Sequence, residues 1–197
     1  KPRLSALIAI TIPLVLCAFT HLYNPIGFPS IRHDEDTHYL PRALIFMNGG
    51  GPLEYRQQYD HPFFGQIFLA GLFKIIGYPG SLLSEGASLT QTVQSLYTVP
   101  RMLMGLLAVL DTFLVYKISE IYYNRRVAFM AAVLFAVTPV TWTFRQVLLD
   151  NILLPFLLSS ILFAICSRVP NIDKKREIIF VLLSGIFLGL AIFTKLP

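Results

Sequence analysis

Residues 4–23 read LSALIAITIPLVLCAFTHLY, an apolar run whose length decides the fold class. Twenty residues of helix cover about 30 Å, the thickness of the hydrocarbon core of a bilayer. Lys1 and Arg3 precede the run, as they would a secretory signal. It is nevertheless long for a signal and lacks a small-x-small cleavage pattern, so it reads as an uncleaved span. Four more apolar runs follow, at about 97–118, 127–144, 147–166 and 178–194. The chain of 197 residues is 55% apolar and 14% charged, where a soluble domain carries about 25% charge. The expected fold is an all-α integral membrane protein, a single transmembrane helix bundle. Net charge is +5, but the cations are scattered between the apolar runs. They read as topology signals and not as a nucleic-acid footprint. Cys17 and Cys166 lie in separate apolar runs, far apart and without a CxxC spacing, which reads as two buried thiols. The chain opens on Lys1 and stops at Pro197, just after an apolar run, and is read as part of a longer one.

Between the first two spans lies a loop, residues 24–96, with breakers at Pro25, Pro29, Gly49, Gly50, Gly51 and Pro52. Within it Leu40, Ala43, Leu44 and Met47 fall at i, i+3, i+4 and i+7. That is the apolar stripe of a short helix over about 40–48, too short to span and expected on the membrane surface. Asp36 or Thr37 could cap it, or it could begin at Pro41. Residues 61–79 are apolar but contain Gln66 and Lys74. If they do not cross, the N-terminus, the Arg125-Arg126 turn and the Lys174-Lys175-Arg176 turn share one side, the cytoplasm. The charge rule favours that arrangement. Loop 24–96 then carries juxtamembrane helices on the extracytoplasmic face, together with the junction near Arg145.

The chemistry concentrates in that loop. His33-Asp34-Glu35-Asp36-Thr37-His38-Tyr39 directly follows the first span. A charge run is usually a solvated face, but ionisable groups at a membrane edge are functional-site candidates. A carboxylate held there against a substrate hydroxyl can act as a general base. Asp34, Asp36 and His38 also form a weaker hard-ligand set for a divalent metal, the one cofactor the sequence leaves open. His61-Pro62 reads equally as an ordinary helix start, with Asp60 as cap. Arg145 either snorkels to headgroups or clamps a phosphate with its planar fork. Asp150, five residues on, is poorly placed to pair with Arg145 along one helix. Asp111 falls mid-span and reads as structural polar packing. Lys195 emerges on the same side as Arg145.

Taken together, Asp34-Glu35, His61-Pro62-Phe63, the run Arg145 to Asp150 and the run Gly185 to Lys195 resemble the C-type glycosyltransferases. The likeness is to their protein O-mannosyltransferase and aminoarabinose-transferase branch, which uses polyprenyl-phosphate sugars. Phe63 stands where a second proline is usual. The resemblance implies a membrane glycosyltransferase that moves a sugar from a polyprenyl (dolichyl) phosphate to an acceptor hydroxyl, with inversion. It implies Asp34 as catalytic carboxylate with Glu35 beside it. Arg145 would meet the lipid phosphate, His61 would lie near donor or acceptor, and Asp150 and Lys195 would complete the binding set. Expected partners are the lipid-linked sugar, a protein or lipid-linked acceptor, membrane lipids, and the rest of a longer chain or other membrane subunits, with no nucleic acid. The short loops favour a prokaryotic plasma membrane, with the site on its outer face.

Two other readings stay open at this stage. One is an oligosaccharyltransferase-like, metal-dependent enzyme. The other is a non-enzymatic carrier or assembly subunit, although a carrier should line a path with buried charges, and here the charges gather at one face.

Overall fold

The computed structural model describes residues 2–28, 35–51, 61–80, 89–170 and 172–195. All regular elements among them are helical. The first helix, α1 (Pro2–Leu22), is followed by a π-turn (Glu35–Tyr39), α2 (Leu40–Met47) and α3 (Phe64–Ile76). Then come α4 (Leu89–Tyr122), α5 (Arg125–Val137), a 3₁₀ segment (Pro139–Arg145), α6 (Leu149–Cys166) and α7 (Lys174–Thr194). Three stretches are long and apolar enough to cross a bilayer: Leu96–Tyr122, Leu149–Cys166 and Lys174–Thr194. A fourth exists if α5 and the 3₁₀ segment form one bent span. The 21 residues of α1 cover about 31 Å. It packs against both α4 and α5, so it is an integral wall of the bundle.

Local chemistry sets the helix ends. Asn124 caps α5, its Oδ1 accepting the N–H groups of Arg126 and Val127 at 3.0 and 3.1 Å. That satisfies two of the donors a helix start leaves over. The other end of α5 departs from the straight span expected over 127–144. Pro139 disfavours the α conformation at Thr138, which is extended (φ −63, ψ 129). The chain resumes as the 3₁₀ segment, bent by 63° from α5.

The α2 stripe also differs from expectation. Leu40 and Ala43 are buried, and Leu44 and Met47 pack on the same core as Leu69, Phe73 and Met104. The apolar face of α2 therefore meets protein and not lipid headgroups. The π-turn runs straight into α2, and Pro41 occupies the helix's first turn, where its missing N–H costs nothing.

The 13 residues of α3 cover about 20 Å, short of the ~30 Å hydrocarbon core. Gly65 fixes its start. A Cβ there would lie 2.7 Å from Leu149 Cδ2 and 2.9 Å from Thr194 Cγ2, so α3 wedges between the beginning of α6 and the end of α7. Phe156 on α6 carries the packing further, with ring centroids 5.6 Å from Phe64, 5.4 Å from Phe68 and 6.0 Å from Phe187.

Two features of α4 shape the site end. Pro100 lies inside the helix and cannot donate to the Leu96 carbonyl; the Tyr78 hydroxyl donates to it instead, at 2.6 Å. At Gly105 a Cβ would come within 2.5 Å of Leu22 Cδ2 and 3.0 Å of the His21 carbonyl oxygen. α1 and α4 therefore approach closely there.

Candidate active site

The site end is assembled by polar contacts that join elements distant in sequence. Glu35, in the π-turn, and Arg101, on α4, form an ion pair whose side chains are both 0% exposed. Arg101 Nε donates to Glu35 Oε1 at 2.8 Å and Nη2 to Oε2 at 2.7 Å, the parallel two-bond geometry that suits guanidinium and carboxylate. Nη1 donates to the Pro25 carbonyl at 2.9 Å. Glu35 Oε1 also accepts the Val147 N–H at 3.0 Å. One carboxylate thus ties the loop after α1, the middle of α4 and the junction before α6. A buried pair of this kind contributes little net stability, because desolvation offsets the attraction. Removing one partner is costly, since a lone buried charge remains.

Arg145 closes the 3₁₀ segment and reaches across to α1. Its Nε donates to the Thr20 carbonyl at 2.6 Å and Nη1 to the Phe28 carbonyl at 2.8 Å. Nη2 donates to Thr20 as well. Thr20 lies in the last turn of α1, where helical carbonyls lack partners and a cation is favoured. The described residues take three of the five N–H donors of this guanidinium, leaving two for a further acceptor. Arg101 is near enough for its charge to act on Arg145, so two cations share this corner.

The same helix end is fastened twice more. The Thr20 hydroxyl lies 2.9 Å from the Ala136 carbonyl, near the bend of α5. His21 is fully buried, with Nε2 2.9 Å from the Thr141 carbonyl. The bent strut from Pro139 to Arg145 is therefore held to α1 by two side chains, Arg145 and His21, and the end of α5 by a third, Thr20.

Beside this cluster lies a groove of ≈ 730 Å³ between α6 and α7, lined by Leu153, Leu157 and Leu188 with His61, Asp150 and Lys195 at its polar edge. Lys195 Nζ donates to Asp150 Oδ1 and Oδ2 at 2.9 and 2.8 Å. Asp150, expected to be a poor partner for Arg145, is thus paired from α7. The Arg42 guanidinium stands 6.0 Å from the centre of the Phe63 ring, so the phenylalanine at that position serves as a cation–π surface.

Of the residues singled out from sequence, the structure brings Glu35 and Arg145 to one end through Arg101 and Val147. It gathers His61, Asp150 and Lys195 around the adjoining groove. Asp34, and Asp60 of the helix-start reading, lie outside the described residues, as does the side chain of Asp36. The candidate metal set of Asp34, Asp36 and His38 is therefore not described; among the described residues no three acids, histidines or cysteines could hold a metal. Cys17 and Cys166 are both unbridged. Asp111 is buried, with neither oxygen hydrogen-bonded among the described residues. Sequence reasoning passed over Arg101 and His21. The signal for Arg101 was present, a charge directly after a proline at the start of an apolar run. Nothing in the sequence marked His21 beyond its place at the end of one.

Among known families, residues 55–197 match the model described as dolichyl-phosphate-mannose-protein mannosyltransferase. No curated protein and no solved structure matches the chain.

Proposed function

Because the chain belongs to the dolichyl-phosphate-mannose-protein mannosyltransferase family, we propose that this membrane glycosyltransferase works by an inverting transfer, with Asp34 as its general base. The donor is a mannosyl group on a polyprenyl phosphate, and the acceptor is a hydroxyl of a protein. The acceptor oxygen attacks the anomeric carbon from the side opposite the phosphate. Asp34 takes the hydroxyl proton, the new C–O bond forms, and the bond to the phosphate oxygen breaks with its electron pair. The lipid phosphate that leaves gains negative charge. Arg145 offers it two N–H donors, and preorganised donors of this kind are worth about 10²–10³-fold in rate.

The observation that carries this reading is the clamp on Glu35. The residue next to Asp34 in the chain is bound to Arg101 and to the backbone two residues beyond Arg145. Both oxygens of Glu35 are engaged, so its assigned role is to position its neighbour. The adjoining groove supports the donor assignment, because it offers apolar walls for an isoprenoid chain and a polar edge at His61 and Lys195. The site lies at the end of the bundle opposite the Arg125-Arg126 turn, and the charge rule, which favours basic turns on the cytoplasmic side, supports an extracytoplasmic site. Family membership sets aside the carrier and assembly-subunit readings.

Asp34→Asn tests the assignment. Transfer from a short-chain polyprenyl-phosphate mannose to a threonine-containing peptide should fall by about 10²–10⁴-fold, while donor binding persists. Undiminished turnover in that variant removes Asp34 from the mechanism.

A further inference from the structure

At the end of the bundle remote from the active site, a second groove of ≈ 430 Å³ opens between α4 and α6. Its walls are apolar, Ile121 from α4 and Ile161, Ala164 and Ile165 from α6, and its mouth carries Tyr122 and Arg168. Arg168 is exposed and forms no ion pair among the described residues. Tyr122 and its neighbour Tyr123 are exposed, with ring centroids 6.3 Å apart. Exposed tyrosines at the end of a spanning helix mark the depth of lipid headgroups. Arg168 therefore sits at headgroup level, above a crevice that descends along α6 into the hydrocarbon layer.

Charge sharpens the reading. Arg125 and Arg126 follow Tyr123 after Asn124, and the next helix start carries Lys174, Lys175 and Arg176 against Asp173 and Glu177, so cations still outnumber acids on these turns. Glu120, the acid on this stretch of α4, is already engaged by Lys117 at 2.6 Å and Arg125 at 3.5 Å. The mouth is thus net cationic above an apolar slot. That combination fits a molecule with an anionic head and a hydrocarbon tail better than a soluble anion, which would leave the slot empty, or a neutral lipid, which would ignore the arginine.

We propose that this groove binds an anionic phospholipid, with its phosphate on Arg168 and the Tyr122 hydroxyl and one acyl chain along Ile161 and Ile165. The site is separate from that of the sugar donor. Basic pockets between spanning helices are suited to such headgroups.

The intact enzyme can be equilibrated in mixed micelles with equal amounts of phosphatidylglycerol and phosphatidylcholine of matched chains, and retained lipid counted by native mass spectrometry. Phosphatidylglycerol should be retained preferentially. Arg168→Gln should lower its retention about fivefold, the effect of one interfacial cation. Ala164→Trp, which fills the slot and keeps every charge, should lower it as well. Arg145→Gln, at the opposite end, should leave retention unchanged, which separates this site from the donor's. Equal retention of phosphatidylcholine overturns the proposal, as does wild-type retention in both groove variants. Displacement by glycerol 3-phosphate would identify an anion site without a lipid and overturn it too.

Discussion

Glu35→Gln is the sharpest test of how the site is held. Glutamine keeps the size of the side chain and can still accept the Val147 N–H. It removes the negative charge and turns one oxygen into an amide donor facing Arg101 Nη2. Both partners are fully buried, so the arginine charge is left uncompensated away from water. Breaking a buried pair in this way costs about 3–5 kcal/mol. Retention of the Val147 hydrogen bond, worth about 1 kcal/mol net, puts the variant near the lower end, at about 3 kcal/mol. Arg101→Met strands the carboxylate instead and should cost at least as much. The double variant removes both charges, so its loss should fall short of the sum of the single losses by about 2–3 kcal/mol. Unfolding in mixed micelles titrated with SDS gives the energies, and transferase rates on the same samples give the function. If Glu35 positions its neighbour through this clamp, activity stays low in the double variant even as stability returns, which separates lost positioning from lost folding. Full activity in a folded double variant would remove the clamp from the positioning of Asp34. A Glu35→Gln loss below about 0.5 kcal/mol, the size of an ordinary surface substitution, or additive losses, would refute the clamp.

Tyr78→Phe should cost about 1 kcal/mol by leaving the Leu96 carbonyl without its donor. Burial pushes the Tyr78 hydroxyl from its ordinary value of 10 up to about 12. Its proton is held more tightly folded than unfolded, so its contribution is intact below pH 10 and lost as pH rises through about 12. A stability profile against pH should flatten in that window for the phenylalanine variant, and an unchanged slope would exclude Tyr78 as its source. Gly105→Leu should drive α1 from α4, because even a Cβ meets the His21 backbone at 3.0 Å; a loss under about 1 kcal/mol, below the usual range for overpacking, would mean that the helices slide apart freely. Asp111→Asn keeps the shape of a buried side chain with no hydrogen-bond partner among the described residues, so transfer should stay within about threefold of wild type. A loss beyond about 10²-fold, the scale of a proton-transferring group, would give Asp111 a chemical role.

The all-helical membrane fold was legible because the apolar runs at 97–118, 147–166 and 178–194 have the length that a bilayer imposes. The acidic turn after α1 was legible for the opposite reason, as charge where charge is expensive. The bend at Thr138 was legible in principle from Pro139, yet an unbroken apolar composition across 127–144 concealed it. Position in the fold decided other outcomes. The α2 stripe has the spacing of a surface helix, and only the presence of α3 and α4 turns it inward. Asp150 could not pair with Arg145 along one helix, and its partner, Lys195, arrives from a helix 45 residues later in the chain. Arg101 was missed because a single arginine near the mouth of a span looks like any snorkelling cation until Glu35 is seen against it.

The long-range character of the Glu35 contacts bears on biosynthesis. Its guanidinium partner lies 66 residues further along the chain, and its backbone partner 112. A ribosome adding about 5–20 residues per second reaches them roughly 3–20 s after Glu35 has been made. Until Arg101 is made the nascent acidic turn has neither contact, and until Val147 is made it lacks one, so it must stay in water or in the shelter of the insertion machinery. Translation halted before Val147 would yield a first hairpin already threaded but a catalytic corner still unbuilt, a natural point for quality control to intervene.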